Sequence, residues 1–160
     1  MPGNSDRDAI IQLLDDNIRA LTLYARQWDM VSSGTDAEDI VQEAFLRLLQ
    51  ESPLPPSPRA WLFRVVRNLS IDLSRRKKEI TQSNTTENWF DQRQNNNNNL
   101  TENLTETLQQ LPQHLREIIV AKIWGNLKFR EIAKLTNRPI SSIHHDYQQA
   151  ISILQKLLKN

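Results

Sequence analysis

From Asp6 to about Trp28, apolar residues fall at Ile10, Leu14, Ile18, Leu21, Tyr24 and Trp28, steps of three and four that keep one side of an α-helix apolar, with Ser5 or Asp6 as a cap. A second run opens after Gly34 with a cap at Thr35 or Asp36 and acids in its first turn. It carries Ile40, Val41, Ala44, Phe45, Leu48 and Leu49 on one face and ends near Gln50. "ESPLPPSP", four prolines in eight residues, cannot continue a helix and reads as a stiff loop. The third run, "PRAWLFRVVRNLSIDLSRRKK" (58–78), places Leu62, Val65, Val66, Leu69 and Leu73 on one arc at roughly 100° per residue. Arg64, Arg67, Asn68, Arg75 and Lys78 lie opposite, with Trp61 and Phe63 towards the edges of the polar arc.

The helical period stops at Glu79. Residues 79–99, including "TQSNTTENWF" and "NNNNN", are too polar to bury enough surface to offset the cost of ordering, and they read as a linker. Trp89 and Phe90 are expected to pack transiently on a neighbouring domain, docking of the linker on a partner being the alternative. The period returns with Leu100, Leu104, Leu108 and Leu111, breaks at Pro112, and resumes through Leu115, Ile118, Ile119 and Ile123 to Trp124, where Gly125 fits a left-handed C-cap. "LKFREIAKL" gives a short helix with Leu127, Ile132, Ala133 and Leu135 inward, "TNRP" a turn, and Ile140 onward a long helix with Ile143, Tyr147, Ala150, Ile151 and Leu154 on one face. Short helix, tight turn and longer helix make a helix-turn-helix, whose second helix enters a DNA major groove. The expected fold is all-α, with two small helical domains at 5–78 and 100–160 joined by the polar linker at 79–99.

Composition agrees with a helical globular chain: 160 residues, 38% hydrophobic, 24% charged and only three Gly. Without Cys there are neither disulfides nor thiolate ligands, which fits a reducing, cytoplasmic setting. No apolar run approaches the roughly 18 residues of a membrane span, and "MPGNSDRDAI" lacks the basic and apolar segments of an export signal.

The net charge of +1 conceals segregation. Residues 36–51 carry Asp36, Glu38, Asp39, Glu43 and Glu51 against Arg47, whereas residues 59–78 carry seven cations against Asp72 alone. Residues 79–115 return to −4 and residues 116–160 to +5. Basic character thus appears twice, as two contact regions for a polyanion would require. Aromatic side chains among the cations of the third helix are what a surface needs to hold phosphate and stack on unpaired bases, and a solvated amphipathic helix is the plainer alternative.

Three stretches in fixed order then become specific. "DAEDIVQEAFLRLL" is similar to the region two signature of bacterial RNA polymerase sigma factors of the extracytoplasmic function (ECF) group of the sigma-70 family. "PRAWLFRVVRNLSIDLSRRKK" resembles the adjoining helix that melts and reads the minus-ten promoter element. "LPQHLREIIVAKIWGNLKFREIAKLTNRPISSIHHDYQQAI" resembles the region four helix-turn-helix. The resemblance implies a promoter-specificity subunit without catalysis of its own, whose partners are core RNA polymerase, promoter DNA in duplex and single-stranded form, and an anti-sigma factor.

Carried onto this chain, the resemblance implies that Asp36, Glu38, Asp39, Gln42 and Glu43 dock on core polymerase, an acidic face suited to a basic partner. Helix-dipole complement and solubility are the plainer account of those acids, sufficient for Asp36 and Glu38. It implies that Asn68, Asp72, Arg75 and Arg76 surround the unpaired minus-ten strand and its flipped base, and Trp61, Arg64, Arg67 and Lys77 of the same helix are expected to join them as minus-ten contacts. Asn can bond a base edge, Arg can bind phosphate or stack, and Asp72 can orient a neighbouring Arg. The loop from Pro53 to Pro58 would complete the base pocket. The minus-thirty-five contacts would come from Lys128, Arg130, Arg138, Ser141, Ser142, His145, Gln148 and Gln149. Here the chain departs from the family pattern: "ISSIHHDYQQA" contains no cation and places Asp146 where the family commonly has one, while Pro139 stands where a capping Ser or Gly is usual.

His144 and His145 are not a metal pair, because adjacent helical residues diverge by roughly 100° and His114 is thirty residues away. No nucleophile-base-acid set, glycine-rich phosphate loop or carboxylate pair at catalytic spacing stands out, so no enzyme, metal or cofactor is expected. Two other classes stay open: a plain helix-turn-helix DNA-binding regulator, against which the acidic helix argues, and a sigma-like interaction protein with weakened promoter recognition, which the cation-poor helix favours.

Overall fold

The computed structural model describes residues 4–29, 31, 35–83 and 99–159, the side chains of 4, 35, 81–83 and 99–103 excepted. The chain divides into two compact units, Met1–Thr86 and Glu87–Asn160. Among the described residues every regular element is helical.

The first unit is three helices, α1 (Asn4–Ala25), α2 (Thr35–Leu49) and α3 (Pro58–Ser83), each packed on the other two. Its core joins Leu21 and Tyr24 of α1, Ala37, Ala44 and Leu48 of α2, and Leu62, Phe63 and Val66 of α3, all fully buried. The Tyr24 ring lies 5.0 Å from both Trp28 and Phe63, edge-on to the first and tilted to the second. Such aromatic pairs add to simple burial.

Phe63 therefore departs from its expected place at the edge of the polar arc. The buried stripe of α3 runs through Leu62, Phe63, Val66, Ser70 and Ser74, while Val65, Leu69 and Leu73, expected inside, are only half-buried. Two helices converge on α3, and the small serines permit that close approach; an arc centred on aliphatic residues alone misses this rotation. α3 also continues five residues past its expected end at 78, to Ser83.

The second unit comprises α4 (Asn99–Gln109), α5 (Gln113–Ile119) running directly into a π-helical turn (Val120–Trp124), α6 (Phe129–Thr136) and α7 (Ile140–Lys159). Leu108, Leu111, Leu115, Ile118, Ile119, Leu127, Ile132, Ile143 and Ala150 form its core. The wider π turn keeps Val120 and Ala121 buried but swings Ile123 out to 49% exposure, against the expectation that it continues the apolar face. Gly125 is right-handed (φ −80°), and the left-handed residue is instead Asn126 (φ 56°), because the chain closes one residue later through Gly125 N–H to Val120 O (2.9 Å) and Leu127 N–H to Ala121 O (3.1 Å).

α6 starts with Glu131 Oε1 accepting the Lys128 backbone N–H at 2.9 Å and ends at Asn137, left-handed at φ 55°, with Arg138 N–H closing on Ala133 O at 3.0 Å. The carbonyl of Pro139 then accepts from Ser142 and Ile143 and opens α7. Trp89, Phe90 and most of the expected linker lie outside the described residues.

Candidate nucleic-acid interface

The core stripe of α3 decides what its other side presents. Arg64, Asn68, Arg75 and Arg76 are exposed, and Trp61, Arg67 and Asp72 are half-buried. Arg64, Asn68, Asp72 and Arg75 recur at steps of three and four, so they share one face, and Trp61 stands one turn before Arg64 and Val65. Asp72 holds two guanidinium groups, Arg75 Nη2 at 2.7 Å on one oxygen and Arg76 Nη2 at 3.2 Å on the other. Both arginine side chains remain more than 60% exposed, at 68% and 62%. Exposed pairs of this kind contribute only about 0–1 kcal/mol, so they can be exchanged for phosphate at little cost.

Lys77 stands apart from this face. It is half-buried, and its ammonium bonds the carboxylate of Asp36 across the α2–α3 contact. Two residues expected on different surfaces are thus brought together inside the unit. Lys78 faces Asp29 at 3.7 Å.

On α2, Glu38, Asp39, Gln42 and Glu43 are exposed, with Arg47 Nε 3.0 Å from Glu43 Oε1. Leu46, 55% exposed, and Leu49, 38% exposed, stand among them. Sequence reasoning missed Leu46 and placed Leu49 in the core; the available signal was that Leu46 lies off the stripe of Ile40, Val41, Ala44 and Leu48. An apolar pair ringed by acids suits a protein partner better than a purely solvated face does.

In the second unit, Ser141, His145, Gln148 and Gln149 line the outward side of α7, opposite Ile143, Asp146 and Ala150. Ser142 is half-buried, and Lys128 and Arg130 are exposed at the start of α6. Arg138 is engaged within the chain, its Nη2 2.6 Å from Asp146 Oδ2. Asp146 thus holds the turn from the inward side of α7. Burial alone would raise its pKa, but hydrogen bonds from Arg138 and His145, with the charges of Arg138 and His114, hold the carboxyl below its ordinary value. His144 rests on Phe129 (ring centroids 4.2 Å apart), which Tyr147 also meets at 5.2 Å and Lys122 Nζ covers at 4.4 Å. The two histidines therefore have unlike surroundings, and no group of three or more His, Asp or Glu among the described residues could hold a metal ion. No described helix is long and apolar enough to cross a membrane.

The family model for Sigma-70 region 2 matches residues 13–80, and that for Sigma-70 region 4 matches residues 101–154. The chain is similar to the RNA polymerase sigma factor SigV of Bacillus subtilis (strain 168), 24% identical over 82% of this chain and 81% of that one. It is also similar to the ECF RNA polymerase sigma factor SigW of the same organism, 26% identical over 97% and 91%. Among solved structures it resembles CnrH in complex with the cytosolic domain of CnrY, with a TM-score of 0.65 and 25% identity over 96% of this chain and 89% of that one. The sigma factor RpoE in complex with the anti-sigma factor NepR from Bartonella quintana shares the fold, with a TM-score of 0.69 and 23% identity over 92% and 95%. With a region 2 match over the three-helix unit and a region 4 match over the helix-turn-helix, in that order, the chain belongs to the extracytoplasmic function group of the sigma-70 family of transcription initiation factors.

Proposed function

We propose that this sigma factor docks on core RNA polymerase through the outward face of α2, captures the separated minus-ten strand on α3, and reads the minus-thirty-five duplex with α7. The observation that carries the reading is the outward face of α3, where Trp61, Arg64, Asn68 and Arg75 remain accessible opposite the buried stripe of Leu62, Phe63, Val66, Ser70 and Ser74. Cations supply affinity for the backbone, the indole supplies a stacking plane, and the Asn amide can pair with a base edge. On α2 the acids complement a basic surface while Leu46 and Leu49 supply burial. The chemistry of transcription belongs to the polymerase.

RpoE is held by an anti-sigma factor in its own complex, and a protein inhibitor of that kind is a proposed partner here too. A second reading, a sigma-like protein with weakened promoter recognition, is favoured by the engagement of Arg138 with Asp146, which leaves the outward side of α7 without a cation in its first half. Run-off transcription from a candidate upstream region with purified core enzyme separates the two. Initiation at a defined start supports the first; core binding with no initiation at any tested promoter supports the second.

A further inference from the structure

The buried carboxylate of Asp146 is approached from two sides at the base of the outward face of α7. Arg138 Nη2 lies 2.6 Å from Oδ2 and His145 Nδ1 lies 3.5 Å from Oδ1. The Asp146 side chain is 11% exposed and that of His145 is 79% exposed, so the carboxylate sits beneath and the imidazole projects above it. The longer contact orients the ring more than it binds it. A neutral imidazole carries one donor and one acceptor, and which nitrogen keeps the proton is set by the partner of the other.

We propose that Asp146 is a positioning residue for base reading: it accepts the Nδ1–H of His145 and so presents Nε2 outward as an acceptor, making His145 select an exocyclic amino group, that of adenine or cytosine. The proposal rests on the reading of α7 as the duplex-binding helix. In the major groove adenine N6 and cytosine N4 are donors, whereas guanine and thymine present only acceptors and adenine adds an acceptor at N7, so an acceptor nitrogen finds a partner on adenine or cytosine alone. A helix with no cation in its first half gains little from phosphates, and discrimination at base edges is what its Ser, His and Gln side chains can supply. Arg138 completes the device by taking up the charge of the carboxylate, which then acts on His145 as an acceptor.

The isosteric change Asp146→Asn makes a sharp test. Arg138 requires an acceptor, so the Asn oxygen turns to it and the amide N–H turns to His145. Nδ1 must then accept, and the proton moves to Nε2. In long-range proton–nitrogen spectra of the labelled full chain near pH 8, the native His145 is expected to carry its proton on Nδ1 and the Asp146→Asn variant on Nε2. Selection of bound duplexes from random upstream DNA by reconstituted holoenzyme should return adenine or cytosine about tenfold over guanine or thymine at one position. That preference should vanish in His145→Ala, an exposed change that the fold tolerates, and in Asp146→Asn should turn against cytosine, because an Nε2–H donor can bond guanine O6 or N7, thymine O4 or adenine N7. A native proton on Nε2, or an unchanged preference in Asp146→Asn, overturns the role of Asp146 while leaving duplex reading intact. Absence of any upstream preference in the native protein overturns both.

Discussion

The ammonium of Lys77, near the end of α3, bonds the carboxylate of Asp36 in the first turn of α2, and both side chains are about three-quarters buried, with exposures of 21% and 25%. The pair joins the acidic helix to the basic one, fastening the proposed strand-binding helix to the proposed docking helix. A half-buried pair is worth more than a surface one. Lys77→Met and Asp36→Asn should each destabilise the protein by about 1–2 kcal/mol, with a coupling energy of at least about 0.5 kcal/mol. A double-mutant cycle in urea checks this, and additive losses would remove the strap.

Leu46 stands 55% exposed among the acids of α2. Leu46→Ser should leave the melting temperature within a few degrees but weaken core polymerase binding about tenfold, since a side chain shielded from water inside an interface carries more of the binding energy than the charged rim around it. Asp36→Asn should weaken binding less than Asp39→Asn or Glu43→Gln, because Asp36 already serves Lys77. Titration of labelled protein against core enzyme ranks the four.

Trp61 and Phe63 are two residues apart but have opposite fates. Phe63→Ala removes a fully buried ring packed on Tyr24 and should cost about 3–5 kcal/mol, visible as lost helicity on mild heating. Trp61→Ala should cost much less stability yet reduce capture of a single-stranded minus-ten oligonucleotide by the holoenzyme, base stacking being worth about 1–3 kcal/mol.

Arg75 and Arg76 share the carboxylate of Asp72. Changing both to Ala should lower promoter opening about tenfold or more and reduce its salt dependence, while core binding shifts less than about twofold. Equal losses in the two assays would place these arginines at the polymerase.

The carboxyl of Asp146 is held below its ordinary value. A carboxylate depressed in the folded state contributes stability that is fully present above its unfolded value, about 3.9, and is lost as pH falls through the folded value. The unfolding free energy should therefore decline on acidification below about pH 5, and Asp146→Asn, weaker at pH 7 by about 1–3 kcal/mol, should flatten that decline. Denaturant curves of the full chain across this range provide the check.

Much of the candidate site was legible because helical period separates inward from outward positions. Arg64, Asn68, Ser141, His145, Gln148 and Gln149 all lie where the wheel places them, and Glu38, Asp39 and Glu43 of α2 are exposed, though Asp36 is not. Leu46 was not legible, since one leucine off the core stripe looks like ordinary surface until its neighbours are seen. The role of Asp146 was missed for the opposite reason: beside the family pattern it reads as a lost cation, and its partner Arg138 lies eight residues away across a turn.

Sequence periodicity and punctuation by themselves determined that the described elements are helical, where they break apart from the far end of α3, and which segments bear acid and which bear base, because each depends on neighbours within a turn or two along the chain. Tertiary structure alone decided that Phe63 belongs to the core, that the left-handed residue after the π turn is Asn126, and that Lys77 and Arg138 spend their charge on Asp36 and Asp146. Those outcomes depend on how closely separate helices approach and which groups they leave facing one another, and the period of one helix carries no information about the surface of the next.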